Sequence, residues 1–178
     1  MARPSLRAHQ EQRGRDTRAR DYVRVLMSEP HAELVARVAA AGDRDDDHAR
    51  WEIRYARRAV GLLVAERDAL NDLTSSDVAA ALAQARESDP NIASDRRAVS
   101  DRQFNDRLSA YRAAMHERGA QNSSAERLAA VLLRFSGASE PRTDDIRLAC
   151  ETMSALVSEC NEALRSTYGE VSLPRELQ

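Results

Sequence analysis

The sequence predicts an all-α, single-domain bundle of about six to seven helices built round one long central helix, residues 46–73. Three observations carry that expectation. Ala and Arg together supply 58 residues against 6 Gly and 5 Pro, so breakers are few and fall at legible intervals. Apolar residues recur at spacings of three and four rather than two. Finally, 178 residues with 42% apolar content are enough to bury one core.

Residues 1–16 hold Pro4, Gly14 and several arginines, with no large apolar residue except Leu6. They are expected to form a basic, mobile arm that enters a helix near Thr17. That first helix carries Tyr22, Val23, Val25, Leu26 and Met27, and Pro30 ends it. A second helix over 30–41 uses Leu34, Val35 and Val38 and stops at Gly42. The run DRDDDH (43–48) places aspartates where a helix dipole favours anions, opening the third helix at Asp46. A fourth helix begins at Thr74, with Asp77 three residues on, and fades into SDPNIASD (88–95), a linker or turn.

The fifth spans 95–118 before Gly119. Ser123 and Glu126 form a capping box for the sixth, which ends at Ser136-Gly137. The seventh runs from Thr143 to Tyr168 and closes at Gly169. The bundle domain is therefore expected over 17–170, with a short tail at 171–178.

Helix faces divide the elements further. In the third helix Trp51, Ile53, Tyr55, Ala56, Ala59, Val60, Leu62, Leu63, Val64 and Leu70 cover most of the circumference, which marks the central member of a bundle. Trp51, the one tryptophan, is expected to be largely buried, with the core organised around it. In the seventh, Ile146, Cys150, Met153, Val157, Cys160 and Leu164 form a heptad seam. That seam must be covered, either by the chain itself as in an ordinary bundle or by a second copy of the chain; with the third helix holding the centre, the second copy is the favoured expectation. Cys150 and Cys160 lie about 15 Å apart along it, too far to bridge, as thiols in a reducing cytoplasm would.

Glu52, Glu66 and Arg67 intrude on the apolar arc of the third helix. Buried charges need partners, so they are expected either in ion pairs or around a polar pocket. Fourteen residues separate the two glutamates by about 21 Å, too far to share a small ligand. Arg50, Arg54, Arg57 and Arg58 form a basic stripe on the same helix, and arginine forks suit phosphate oxygens.

Several chemistries lack their residues. All 27 cations are arginine, so the P-loop lysine and any Schiff base are missing. Glu-x-x-His pairs, His-Glu-x-x-His and Cys-x-x-Cys do not occur. No glycine fingerprint or nucleophile elbow occurs either. No catalytic residue, metal ligand or cofactor is expected.

The run Arg58-Ala-Val-Gly-Leu-Leu-Val-Ala-Glu-Arg67 resembles the first helix of the all-α chorismate mutases, where arginines punctuate an apolar run. That family's active site also uses a lysine, which this chain lacks, and the likeness covers about a tenth of the sequence. In size and composition the chain also resembles small helical subunits of ribonucleoprotein effectors, including CRISPR complexes, though it carries no motif of theirs.

The expected protein is a cytoplasmic, non-enzymatic bundle acting through protein contacts, in a homo-oligomer or larger assembly. The N-terminus lacks the apolar segment of a secretory signal, and no membrane is expected as a partner. One alternative is a nucleic-acid-associated subunit using the arginine-rich arm and stripe. A second is a lysine-independent enzyme with its pocket near Glu66 and Arg67.

Overall fold

The computed structural model describes residues 6–69, 72–117 and 122–169, with side chains in the first helix from Gln10 onward. Seven α-helices lie among the described residues: α1 (Leu6–Leu26), α2 (Ala32–Ala41), α3 (Asp46–Asp68), α4 (Asp72–Glu87), α5 (Arg97–His116), α6 (Ser124–Phe135) and α7 (Thr143–Tyr168). A 3₁₀ turn over Ser94–Arg96 leads directly into α5. No strand occurs among them. The chain is a single-domain all-α bundle.

The central helix is where the sequence places it. Every residue from Glu52 to Ala65 is buried, and α3 contacts each of the other six helices. Asp45 starts it by accepting hydrogen bonds from the Asp47 and His48 N–H groups at 2.9 and 3.1 Å. The core gathers Tyr22, Leu26, Leu63, Leu82, Tyr111, Leu132 and Met153 around its middle. A smaller cluster of Val35, Val38, Ala39, Ala49 and Ile53 seals α2 against its start.

Glycine permits two close approaches. A Cβ on Gly61 would meet Leu26 side-chain carbons at 2.3 to 3.0 Å, so α1 lies against bare backbone there. The Tyr22 hydroxyl donates to the Gly61 carbonyl at 2.9 Å in the same contact. At Gly42 a Cβ would fall 2.0 Å from the Ser136 carbonyl oxygen, which also accepts from the Asp43 N–H at 3.0 Å. The α2–α3 and α6–α7 corners are thus stitched together by backbone.

Several expectations need correction. Residues 6–16, expected as a mobile arm, are the first half of α1; residues 1–5 lie outside the described residues, as do the tail 171–178 and the stop at Gly119. Arg, Gln, Ala and Glu are good helix formers. The added turns are supported by Gln12 donating to Asp16 at 2.7 Å and by an Arg15–Asp77 ion pair to α4 at 3.3 Å.

The third helix stops at Asp68, with Ala69 extended, and α4 opens at Asp72. Leu70 and Leu73 prolong the apolar period past the true break. The sixth and seventh helices match their capping signals: the Ser123–Glu126 box forms in both directions, and Gly169 takes a φ of 86°.

The seam on α7 is turned from its expected position. Its buried row is Ala149, Met153, Leu156, Cys160 and Leu164, flanked by Thr152. The helix packs on α6, α3, α1 and α2. Met153, Cys160 and Leu164 are therefore covered by the chain itself. Cys150 and Val157 are half-buried on the flank, and Ile146 is 43% exposed. The small residues Ala149 and Thr152 hide this row from a reading weighted toward large apolar side chains.

Candidate functional site

The arginines of α3 do not present a basic stripe. Arg54 is buried on Glu29, gripped through Nε and Nη2. Arg57 is buried, donates to the carbonyl and hydroxyl of Ser28 at 2.9 and 2.8 Å, and reaches Glu159 of α7 at 3.3 Å. Arg58 is 1% exposed and donates to Asp89 at 2.8 Å. Only Arg50 is partly exposed, and it pairs with Asp47 one turn back. Because α3 is buried round its whole circumference in this stretch, Arg54, Arg57 and Arg58 point into the bundle and draw carboxylates from three other segments. The stripe expected to face an anionic partner is internal and neutralised.

Glu52, Glu66 and Arg67 do not share a pocket. Glu52 is 2% exposed and takes both arms of Arg107 from α5, with Nε at 3.0 Å, and His48 Nε2 lies 3.4 Å away. Glu66, near the far end of α3, is exposed and pairs with Arg112 at 2.8 and 3.0 Å. Arg67 is exposed and paired with its neighbour Asp68 at 2.7 Å. All three are structural ion pairs. Arg58 and Arg67, which bracket the chorismate-mutase-like run, accordingly sit in different settings, one buried on Asp89 and one at the surface.

Two tyrosine hydroxyls are held by burial on the neutral side. Tyr22 and Tyr111 both have pKa values raised above the ordinary 10.0, first by desolvation. The Cys160 thiol is likewise pushed up to about 12 by burial, and Cys150 is raised for the same reason. Neither cysteine is poised as a nucleophile. Among the described residues no three metal-ligating side chains come together. No helix among them is long and apolar enough to cross a membrane.

What the structure does offer is a cleft of about 330 Å³ between α3, the 91–93 turn and the start of α5. Its lining comprises Trp51, Tyr55, Asn91, Ile92, Ala93, Arg96, Val99, Ser100 and Gln103. Trp51 is therefore not the centre of the core. It is half-buried at the cleft, with the Arg54 guanidinium 4.5 Å from its ring centre and the Tyr55 ring at 5.7 Å. Its place near the start of α3, ahead of the fully buried stretch, leaves one side of the indole without a covering helix.

The wall opposite Trp51 is set from behind. Asp89 is buried, receives Arg58, and also accepts from the backbone N–H and side-chain amide of Asn91 at 3.0 and 3.1 Å. Burial raises the Asp89 carboxyl, but the Asn91 and Arg58 hydrogen bonds and charge outweigh it, so its pKa lies below the ordinary value. Tyr55 OH bonds Ser100 and Gln103, each at 3.1 Å, fixing α5 against the floor. Sequence reading missed this site because 88–95 looks like a linker. The available signal was Ile92, an apolar residue inside that polar turn, together with Val99, which lies off the face of α5 that buries Phe104 and Tyr111.

Comparison with known proteins gives no match among family models, curated proteins or solved structures.

Proposed function

We propose that the protein acts through protein–protein contacts, without catalysis, as a cytoplasmic subunit of a homo-oligomer or larger assembly. The observation that carries this reading is the Trp51 cleft: an aromatic floor, an exposed Val99 and a solvated Arg96. Tryptophan, tyrosine and arginine are the side chains that dominate binding energy at protein interfaces. Glu66 and Arg67, on which the alternative enzyme reading rested, are engaged in ion pairs with Arg112 and Asp68. Sedimentation velocity of the chain alone, and capture of the tagged chain from its own cells, test the reading. Either self-association or a stoichiometric companion is expected. A monomer with no companion under both conditions overturns it.

A second reading, a nucleic-acid-associated subunit, keeps one supporting observation. Arg13, Arg20 and Arg24 are exposed at spacings of seven and four, on one face of α1. Salt-dependent binding of labelled oligonucleotides, weakened by reversing these three charges, is the expected result.

A further inference from the structure

We propose that the Trp51 cleft receives one large apolar side chain from a partner polypeptide with a carboxylate beside it. This rests on the reading above and names the chemistry of the contact. Its volume lies at the lower end of those that hold a small ligand, which suits a single inserted side chain. Trp51, Ile92 and Val99 supply apolar wall, and Val99 is 49% exposed. The Tyr55 hydroxyl is already committed to Ser100 and Gln103, so apolar contact dominates the floor.

The rim specifies the charge. No carboxylate lines the cleft, and its one ionic group is Arg96. That side chain is 77% exposed, and its ion pair is a loose one, 4.0 Å from the neighbouring Asp95. A solvated pair at that distance is worth little and yields readily to a better-placed anion. Arg96 also occupies the N-cap position of α5, where it makes no capping hydrogen bond, and the first turn of α5 has no acidic residue. Guanidinium and helix dipole therefore present positive potential at one edge of an apolar cleft. A partner residue such as leucine or phenylalanine, next to aspartate or glutamate, satisfies both.

Selection of random short peptides displayed on phage against the full chain tests this. The consensus peptide is then synthesised without tryptophan and titrated against the emission of Trp51. We expect a consensus pairing a large apolar residue with an adjacent Asp or Glu, and a saturable shift in Trp51 emission. Val99→Asp should abolish the shift. Arg96→Glu should weaken the acidic peptide by about fivefold or more and turn reselection toward Lys or Arg. Both substituted side chains are solvent-facing, so folding is expected to survive, and circular dichroism checks it.

A consensus without acidic residues, or one indifferent to Arg96→Glu, overturns the charge assignment. Peptides that bind Val99→Asp equally well overturn the cleft as the site. Both outcomes leave protein contacts elsewhere on the molecule standing. No enrichment over blank support also overturns the inference, and the sedimentation and capture results then decide separately whether the wider reading survives.

Discussion

Asp89 holds two things at once, the buried Arg58 guanidinium and the Asn91 turn that walls the cleft. Removing it leaves Arg58 with no carboxylate in a site where two of its nitrogens already lack a hydrogen-bond partner. Breaking a buried pair from one side is far more damaging than losing a surface pair. Asp89→Ala should lower unfolding free energy by about 3–5 kcal/mol in urea titrations, and Arg58→Met/Asp89→Ala should recover part of that loss. A loss below about 1 kcal/mol for the single variant would mean the pair is solvated. His48 gives a second residue-scale prediction. Burial pushes its imidazole down, but the 2.5 Å contact with Asp43 and the charges of Asp43, Glu52 and Asp45 prevail, so its pKa lies above 6.5. A raised folded-state pKa means the stabilisation is fully present below the unfolded value and fades as pH rises through the folded one. The stability difference between wild type and His48→Gln should therefore shrink from pH 6 to pH 9. A difference that stays flat across that range would remove His48 from the pH response.

At the scale of elements, glycine sets how closely the helices approach. Gly61→Ala would press a methyl into Leu26, which is itself buried. The flexible leucine can shift, so a loss of about 1–3 kcal/mol is expected. Gly42→Ala meets the Ser136 carbonyl, which is backbone and cannot rotate away, so it should be the more damaging of the two. Thermal melts of both variants check the order, and a milder Gly42→Ala would show that the stitched corner can open. The helices themselves were legible because their stops are chemical: the Ser123–Glu126 box and Gly169 each mark a real end. The errors share one origin. Leu70 and Leu73 continue an apolar period across a break that backbone conformation makes, and Ala149 and Thr152 of α7 are buried without large apolar side chains.

For the whole molecule, the sequence identified α3 as the hub but misjudged what its polar residues do. The presence of Glu52, Arg54, Arg57 and Arg58 on the central helix could be read directly, but the burial of the three arginines could not. Their partners could not, because Arg107, Glu29, Glu159 and Asp89 lie 25 to 102 positions away along the chain. Pairings across such separations are set by how the helices assemble, which a single sequence does not encode locally. The cleft was hidden for the same reason, since Trp51 meets Ile92 and Val99 only after folding.

The position of α3 bears on how the molecule opens. All six other helices lean on it, so its backbone can meet water only when the bundle as a whole comes apart. Amide protons from Ile53 to Ala65 should exchange with deuterium together, at one rate set by global unfolding. Those of α1 should exchange through smaller openings with lower free energies. Slow, uniform labelling of this one segment would make it a clock for complete unfolding, and staggered labelling within it would reveal a bundle that loosens in parts.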